Sequence, residues 1–306
     1  MKRQILTLAT LVLAGALPTL AQDRTEIVIN DTRVGPENLT SSQDGTVFFG
    51  SSTKGTIYRA LPGVAQAEAW IQGDVAALTN VTGVLADDKS STLWVCANAP
   101  FGRGAPATGQ TALRAFDLKT GDPKGTYPFP GGGLGNDVAL AADGTAYASD
   151  TFAGRVLRLK PGTDTLDVWV TDPQLRGIDG LSFLGDGSLY VNNFFNGKLL
   201  RIAMNADGTA GPIVALETSL PFSRPDGLRT SGPKTLLQAE GSGWLTEITI
   251  EDGRGTVRVI KDGLTGAAGV TQIGENALVL VERSKAVVVP LTAPDVPAAP
   301  EAEMRK

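Results

Sequence analysis

The chain has 306 residues, of which 42% are apolar, 19% are charged and 37 are glycine. This composition is too apolar for a disordered chain and too rich in glycine for a helical bundle. With no histidine and one cysteine, the chain cannot form a Ser-His-Asp triad, a histidine-based zinc site or an intramolecular disulfide. A net charge of -5 without a basic run also argues against nucleic acid as a partner.

The first 21 residues are predicted to be a signal peptide. Lys2 and Arg3 precede a short apolar stretch, residues 5–16, and the Thr-Leu-Ala sequence at residues 19–21 is typical of a cleavage site. This stretch is too short to span a membrane as a resident helix, and no later segment is apolar enough to do so. We therefore expect a periplasmic or secreted protein.

The middle of the chain contains a repeat. Three segments align without a gap, and they begin at Glu37, Asn136 and Asp179. Each has Asp-Gly seven and eight residues later, an aromatic residue at eleven, glycine at eighteen and arginine at twenty-two. Asp-Gly between apolar runs is a strong hairpin signal, and each unit is interpreted as four antiparallel strands, which is the composition of a propeller blade.

Weaker copies of the repeat start near residues 83, 226 and 270. The sequence therefore predicts an all-β fold, a six-bladed β-propeller of four antiparallel strands per blade over residues 22–292. A flexible Pro/Ala-rich tail is expected over residues 293–306. The last blade lacks a fourth strand, so residues 26–30 are expected to complete it and close the ring. A β-sandwich is the alternative, but sandwiches do not repeat in sequence in this way.

The start of each first strand lies nearest the central tunnel of a propeller. Glu37, Asn136 and Asp179 share a register and are expected to surround the axis, and Asp226 begins its blade in the same way. Carboxylates that converge repel one another, and a cation would neutralise them. Oxygen ligands favour Ca²⁺, with Zn²⁺, Mn²⁺ or Mg²⁺ as alternatives. The remaining interpretation is that these residues cap turns or form hydrogen bonds in a wet tunnel.

Five short motifs resemble the senescence-marker-protein/gluconolactonase family of regucalcin-like six-bladed propellers over about residues 30–290. They are Pro36-Glu37-Asn38-Leu39, Gly135-Asn136-Asp137, Asp143-Gly144 with Asp150-Thr151, Ile178-Asp179-Gly180-Leu181 and Pro225-Asp226-Gly227-Leu228. The resemblance implies that Glu37, Asp179 and Asp226 bind a divalent ion and that Asn136 contacts the ion or the substrate.

The reaction that the resemblance implies is hydrolysis of a lactone or related ester, with the metal polarising the carbonyl group and activating water. Asp226 is the preferred catalytic base, with Asn136 beside it, and Asp179 is the alternative base. Two positions depart from the family: Asp179 stands where asparagine is usual, and Leu134 stands where sugar-lactone members carry arginine. The second departure argues against a sugar-acid lactone, and the lack of histidine excludes paraoxonase-like and streptogramin-lyase-like mechanisms.

Loops above the tunnel are expected to select the substrate. The Gly/Pro/Ala-rich insert at residues 97–111 is predicted to overhang the mouth. Five phenylalanines near it suggest either an apolar substrate face or packing between blades, namely Phe101, Phe152, Phe194, Phe195 and Phe222. We expect a monomer that acts on a small lactone or ester. The alternative is a non-catalytic exported propeller that binds a ligand or partner protein and holds a structural calcium.

Overall fold

A computed structural model describes residues 24–100 and 110–292. The predicted signal peptide at residues 1–21 and the predicted tail at residues 293–306 lie outside this described part. So do Phe101 and most of the predicted overhanging insert.

The described residues form an all-β fold in which the helical structure is a single 3-10 turn at Pro173–Leu175. The strands in chain order are β1 (Glu26–Ile29), β2 (Pro36–Ser41), β3 (Val47–Ser51), β4 (Ile57–Ala60), β5 (Gln66–Ile71), β6 (Asn80–Asp87), β7 (Thr92–Asn98), β8 (Ala112–Asp117), β9 (Pro123–Pro128), β10 (Gly135–Leu140), β11 (Ala146–Asp150), β12 (Arg155–Leu159), β13 (Asp167–Thr171), β14 (Ile178–Phe183), β15 (Leu189–Asn193), β16 (Leu199–Met204), β17 (Ala210–Ala215), β18 (Glu217–Thr218), β19 (Pro225–Gly232), β20 (Thr235–Glu240), β21 (Trp244–Glu251), β22 (Arg254–Lys261), β23 (Val270–Ile273), β24 (Asn276–Val281) and β25 (Lys285–Pro290). Within residues 24–100 and 110–292, no helix has the length and apolar character needed to cross a bilayer.

Consecutive strands pair in antiparallel sets of four, as the repeat predicts. These sets are β2–β5, β6–β9, β10–β13, β14–β17 and β19–β22, and the short β18 adds to β22 in parallel. The last three strands, β23–β25, gain β1 as a neighbour, because β1 runs antiparallel to β25 with Glu26 opposite Val287. β1 also pairs in parallel with β5, with Val28 opposite Gln66, and thereby joins the beginning and the end of the described chain in one sheet.

The first strands of the sets contact one another in the cyclic order β2, β6, β10, β14, β19, β23 and β2 again. Glycines allow this close approach. A Cβ at Gly180 would lie 2.5 Å from the backbone oxygen of Asp226, and one at Gly227 would lie 2.7 Å from that of Ala268. The Asp-Gly pairs at 179–180 and 226–227 both lie within strands, in β14 and β19. The alternative that Asp179 and Asp226 cap turns is therefore wrong.

The apolar core is divided among the gaps between neighbouring sheets. In one such gap, Phe48 from β3 packs with Val81 and Val84 of β6. Phe222 lies in another, where it is 8% exposed and packs with Tyr190 and neighbouring leucines. Packing between sheets is therefore the correct interpretation for Phe222. Because apolar side chains fill the outer gaps, the starts of the first strands are left for polar groups.

Candidate metal centre

Three carboxylates meet at the starts of three first strands. Glu37 lies on β2, Asp179 on β14 and Asp226 on β19, and one carboxylate oxygen from each lies within 4.8 Å of the others. Each residue falls at a register shift between its strand and the next, a local irregularity that bends the strand and re-aims its side chain. The same kink in three equivalent strands therefore points three acids at one place.

Asn136 lies beside this cluster, on β10 at a register shift of its own. Its Nδ2 atom donates to Oδ2 of Asp179 at 2.9 Å and to Oγ1 of Thr151 at 3.1 Å. Thr151 in turn donates to the backbone oxygen of Ile178 at 2.8 Å, next to Asp179. The four site residues that the sequence predicts are therefore brought together, three as a cluster and Asn136 in contact with one of them.

Two oxygen atoms at this place are buried without a hydrogen-bond partner, Oε2 of Glu37 and Oδ1 of Asn136. Burial raises the pKa of all three acids, and their charges add to the effect: Asp179 raises the pKa of Glu37, Asp226 that of Asp179, and Glu37 that of Asp226. Buried oxygens without partners are costly and rare in folded proteins. Three carboxylates and an idle amide oxygen suit the ligand preferences of a hard divalent cation such as Ca²⁺.

A second charged group lies next to these acids, and its charges are paired. Asp137 is fully buried and Arg229 is 8% exposed. Both guanidinium Nη atoms of Arg229 contact the Asp137 carboxylate, with Nη2 at 2.9 Å from Oδ1, and Asn38 donates to the same oxygen at 3.0 Å. Asn38 and Asp137 directly follow Glu37 and Asn136 in sequence, so this group ties together strands β2, β10 and β19.

Side chains of the second strands hold the backbone on either side of the acids. Ser149 accepts from the Asp137 amide at 2.9 Å and donates to the backbone oxygen of Asp179 at 2.7 Å. Asn192 accepts from the Gly180 amide at 2.9 Å and donates to the backbone oxygen of Asp226 at 2.7 Å. Neighbouring first strands are therefore linked at the level of the acids, which fixes their spacing.

Each of the four predicted ligands follows a loop that is held by a polar residue of its own set. In every case this polar residue lies fourteen positions after the ligand, at the end of the second strand, and forms a hydrogen bond with the backbone of the loop. The contacts are Ser51 Oγ to Val34 O, Asp150 Oδ1 to Leu134 N at 3.1 Å, Asn193 Nδ2 to Arg176 O at 2.8 Å, and Glu240 Oε2 to Ser223 N at 2.9 Å. These four supporting residues could have been found in the sequence, because a polar residue recurs in register at the end of each second strand.

Two phenylalanines are exposed at the turns between second and third strands. Phe152 is 58% exposed and Phe195 is 65% exposed. The Phe195 ring packs so closely over Gly177 that a Cβ there would lie 2.4 Å from it, and Gly177 is two residues before Asp179. Phe194 packs edge-on against Phe195, with ring centroids 6.1 Å apart. An apolar surface therefore stands next to one of the predicted ligands.

No family model matches the sequence, and no curated protein matches it either. Solved structures match the fold. A structural-genomics protein described as a candidate gluconolactonase has 17% identity and a TM-score of 0.68, covering 91% of this chain and 96% of that one. A gluconolactonase from Xanthomonas campestris has 16% identity and a TM-score of 0.65, covering 90% and 93%.

A virginiamycin B lyase from Staphylococcus aureus has the same general architecture, with 16% identity, a TM-score of 0.60 and coverage of 87% of this chain and 98% of that one. A second structure is that of a catalytically inactive variant of the same lyase, in which a histidine is replaced by alanine. These likenesses show that the chain has a gluconolactonase-like propeller fold. At such low identities they say nothing further about its chemistry.

Proposed function

We propose that the chain is a divalent-metal-dependent hydrolase of a lactone or related ester, built on a six-bladed propeller that β1 closes. The closure is supported by the antiparallel pairing of β1 with β25 and by the cyclic contacts of the first strands. The function rests on one observation: three acids from three first strands converge within 4.8 Å, and two oxygens there lack partners. We also propose that it acts as a monomer, in the periplasm or outside the cell.

Glu37, Asp179 and Asp226 would hold the cation, and Ca²⁺ is the first choice because every donor is a hard oxygen. Asn136 would orient Asp179 through their 2.9 Å hydrogen bond and offer its idle Oδ1. When bound, the cation supplies a Lewis acid that polarises a carbonyl group.

Asp226 would accept the proton of the attacking water. Asp179 is buried and is held by the Asn136 amide, whereas Asp226 is partly exposed and can meet a water molecule. In the metal-free site, burial, followed by the negative charges of Glu37 and Asp137, raises the pKa of Asp226, which favours uptake of a proton by this carboxylate. Chemistry that depends on histidine, as the inactivated lyase variant suggests for that enzyme, cannot be copied in a chain without histidine.

The test is hydrolysis of a panel of aliphatic and aromatic lactones and esters by the mature protein. It is run after chelation and again with Ca²⁺, Mn²⁺, Mg²⁺ or Zn²⁺ restored. Asp226→Asn is compared with Asp207→Asn, which changes an exposed turn residue. We expect activity that requires metal, that is lost in Asp226→Asn and that survives in Asp207→Asn. A protein that binds metal but hydrolyses nothing would be a non-catalytic propeller with a structural ion.

A further inference from the structure

The turn between β24 and β25, residues 282–284, lies at the same end of the sheets as the acids. It joins a second strand to a third strand, and β2, which carries Glu37, contacts both β23 and β24. The Glu282 amide donates to the backbone oxygen of Thr265 at 2.9 Å, in the loop that leads to β23. The turn is therefore fixed to the loop layer around the predicted metal site.

The backbone of this turn is strained at two consecutive side-chain-bearing residues. Glu282 has φ 53° and Arg283 has φ 52°, in the left-handed region that glycine adopts freely. The turn of the preceding set, residues 241–243, has the same length, but its left-handed residue is Gly243, which matches Ser284 here. Two consecutive side-chain-bearing residues in the left-handed region cost free energy, which suggests that at least one of them has a task that glycine cannot perform.

Arg283 is exposed, and within residues 24–100 and 110–292 it has neither a hydrogen bond nor an ion pair. Its neighbour Lys285, in contrast, is paired with Glu26 at 3.2 Å and with Glu282 at 3.7 Å. Arg283 is the second residue after β24, as Phe195 beside Asp179 is the second residue after β15, so the two residues stand at matching turns on one end of the sheets. In keeping with this position, the charge of Arg283 lowers the pKa of both Glu37 and Asp226. It is therefore an uncommitted cation beside the reaction centre.

We propose that Arg283 determines specificity by binding a carboxylate of the substrate, so that the favoured substrate is a lactone or ester with a free carboxylate away from the scissile carbonyl. The inference rests on the proposed function. A guanidinium binds a carboxylate through two parallel hydrogen bonds, which fixes the orientation of the substrate. Three site carboxylates, a divalent cation and Arg283 sum to no net charge, so an anionic substrate is not repelled.

The kinetic test uses two esters of equal length, mono-4-nitrophenyl glutarate with a free carboxylate and 4-nitrophenyl pentanoate without one. In the calcium-loaded mature protein, we expect Arg283→Gln to lower kcat/KM for the glutarate ester about 10- to 100-fold, chiefly through KM. The pentanoate ester should be unaffected. Glu282→Gln, the adjacent control, should change neither. Equal effects of Arg283→Gln on both esters, or none on either, would overturn the inference.

A binding test separates this inference from the proposed hydrolase activity. Calorimetry compares glutarate with pentanoate on the calcium-loaded protein, and we expect glutarate to bind at least about 10-fold more tightly, with the preference lost in Arg283→Gln. If that preference is found in a protein that hydrolyses no ester, the role of Arg283 stands and the hydrolase proposal fails. If esters are hydrolysed and Arg283→Gln leaves both preferences intact, the reverse holds.

The strained turn supplies one more control. Arg283→Gly and Glu282→Gly should each relieve the backbone strain at one residue in the left-handed region and raise Tm by about 2 °C. Only Arg283→Gly should remove the preference for glutarate. Loss of the preference in both variants would instead assign it to the shape of the turn, and would overturn the role of the guanidinium.

Discussion

Two neighbouring polar groups lie on the first strands of the sheets, and they differ in whether their charges are paired within the protein. We call them the lower group and the upper group. The lower group consists of Asp137, Arg229 and Asn38, in which the buried carboxylate is paired with a guanidinium and an amide. The upper group consists of Glu37, Asp179 and Asp226, in which three like charges converge and an oxygen of Glu37 has no partner. The charges of the lower group are therefore paired within the chain, whereas those of the upper group would be neutralised by the cation that we propose.

The comparison indicates why the two groups lie side by side. The lower group ties β2, β10 and β19 together through a neutral network, which holds those strands in place while the acids above repel one another. The fold therefore resists the repulsion, which would favour binding of the proposed cation. Each of the following changes breaks or sharpens this contrast, beginning with the largest expected effect.

Removing the guanidinium of Arg229 from the lower group should destabilise the protein most. Arg229→Met leaves the Asp137 carboxylate buried and without its counter-charge, which typically costs about 3–5 kcal/mol in the free energy of unfolding. The double variant Asp137→Asn with Arg229→Met should recover most of that loss, because no buried charge is left unpaired. Urea denaturation of the three proteins measures this. A single variant as stable as the wild type would show that the lower group is not structural.

Neutralising one upper acid should have opposite effects on binding and on stability. Asp179→Asn removes a predicted ligand, so we expect Ca²⁺ affinity to fall at least about 100-fold, or about 2.7 kcal/mol. The same change removes a repelling charge, so the metal-free protein should melt at a higher temperature than the wild type. Thermal melts with and without chelator measure both effects, with Asp207→Asn as the unaffected control. A lower Tm of metal-free Asp179→Asn would contradict the contrast.

Most of the fold was accessible from the sequence because the repeat carries it. Asp-Gly pairs and register-matched glycines predict the sets of four antiparallel strands, and the strand at residues 26–30 is found as β1 at Glu26–Ile29. The meeting of Glu37, Asn136, Asp179 and Asp226 also follows from the shared register, whereas their chemical roles stay predictions.

The supporting contacts were not accessible from the sequence. Arg229 is the one basic residue of β19, and its partner Asp137 is 92 residues away, so no local pattern connects them. The role of Asn192 is equally hard to predict, because its bond to the backbone oxygen of Asp226 crosses from one sheet to the next. The Asp-Gly pair is also ambiguous: at residues 143–144 it forms a turn, whereas at residues 226–227 it lies in a strand and permits close approach. Only three-dimensional packing distinguishes these uses.

Loosening the link between two upper acids should have an intermediate effect. Asn192→Ala removes the bonds to the Gly180 amide and to the backbone oxygen of Asp226. We expect a loss of about 1–3 kcal/mol in the free energy of unfolding and a Ca²⁺ affinity about 10-fold weaker, because the acids are no longer held at a fixed spacing. Asn196→Ala, in the exposed turn of the same set, is the matched control. Equal losses in both variants would rule out a positioning role.

The smallest expected effect is a dependence of stability on pH in the chelated protein. The pKa of each upper acid is raised in the folded state, so its contribution to stability is present at low pH and is lost as pH rises through that raised pKa. Glu240, whose pKa is raised by burial to about 7, acts in the same direction. Tm should therefore fall as pH rises, and less steeply in Asp226→Asn. A slope unchanged by that substitution would count against the repulsion.

The most direct measurement is a calorimetric titration of the chelated protein with Ca²⁺ at neutral pH in two buffers of different ionisation enthalpy. Because the pKa values of Glu37, Asp179 and Asp226 are raised, binding should displace protons, and the observed heat should differ between the buffers. The expected result is one site with proton release, absent from the triple variant Glu37→Gln, Asp179→Asn and Asp226→Asn. Binding of the same strength in the triple variant, or no binding of any divalent cation by the wild type, would contradict the account.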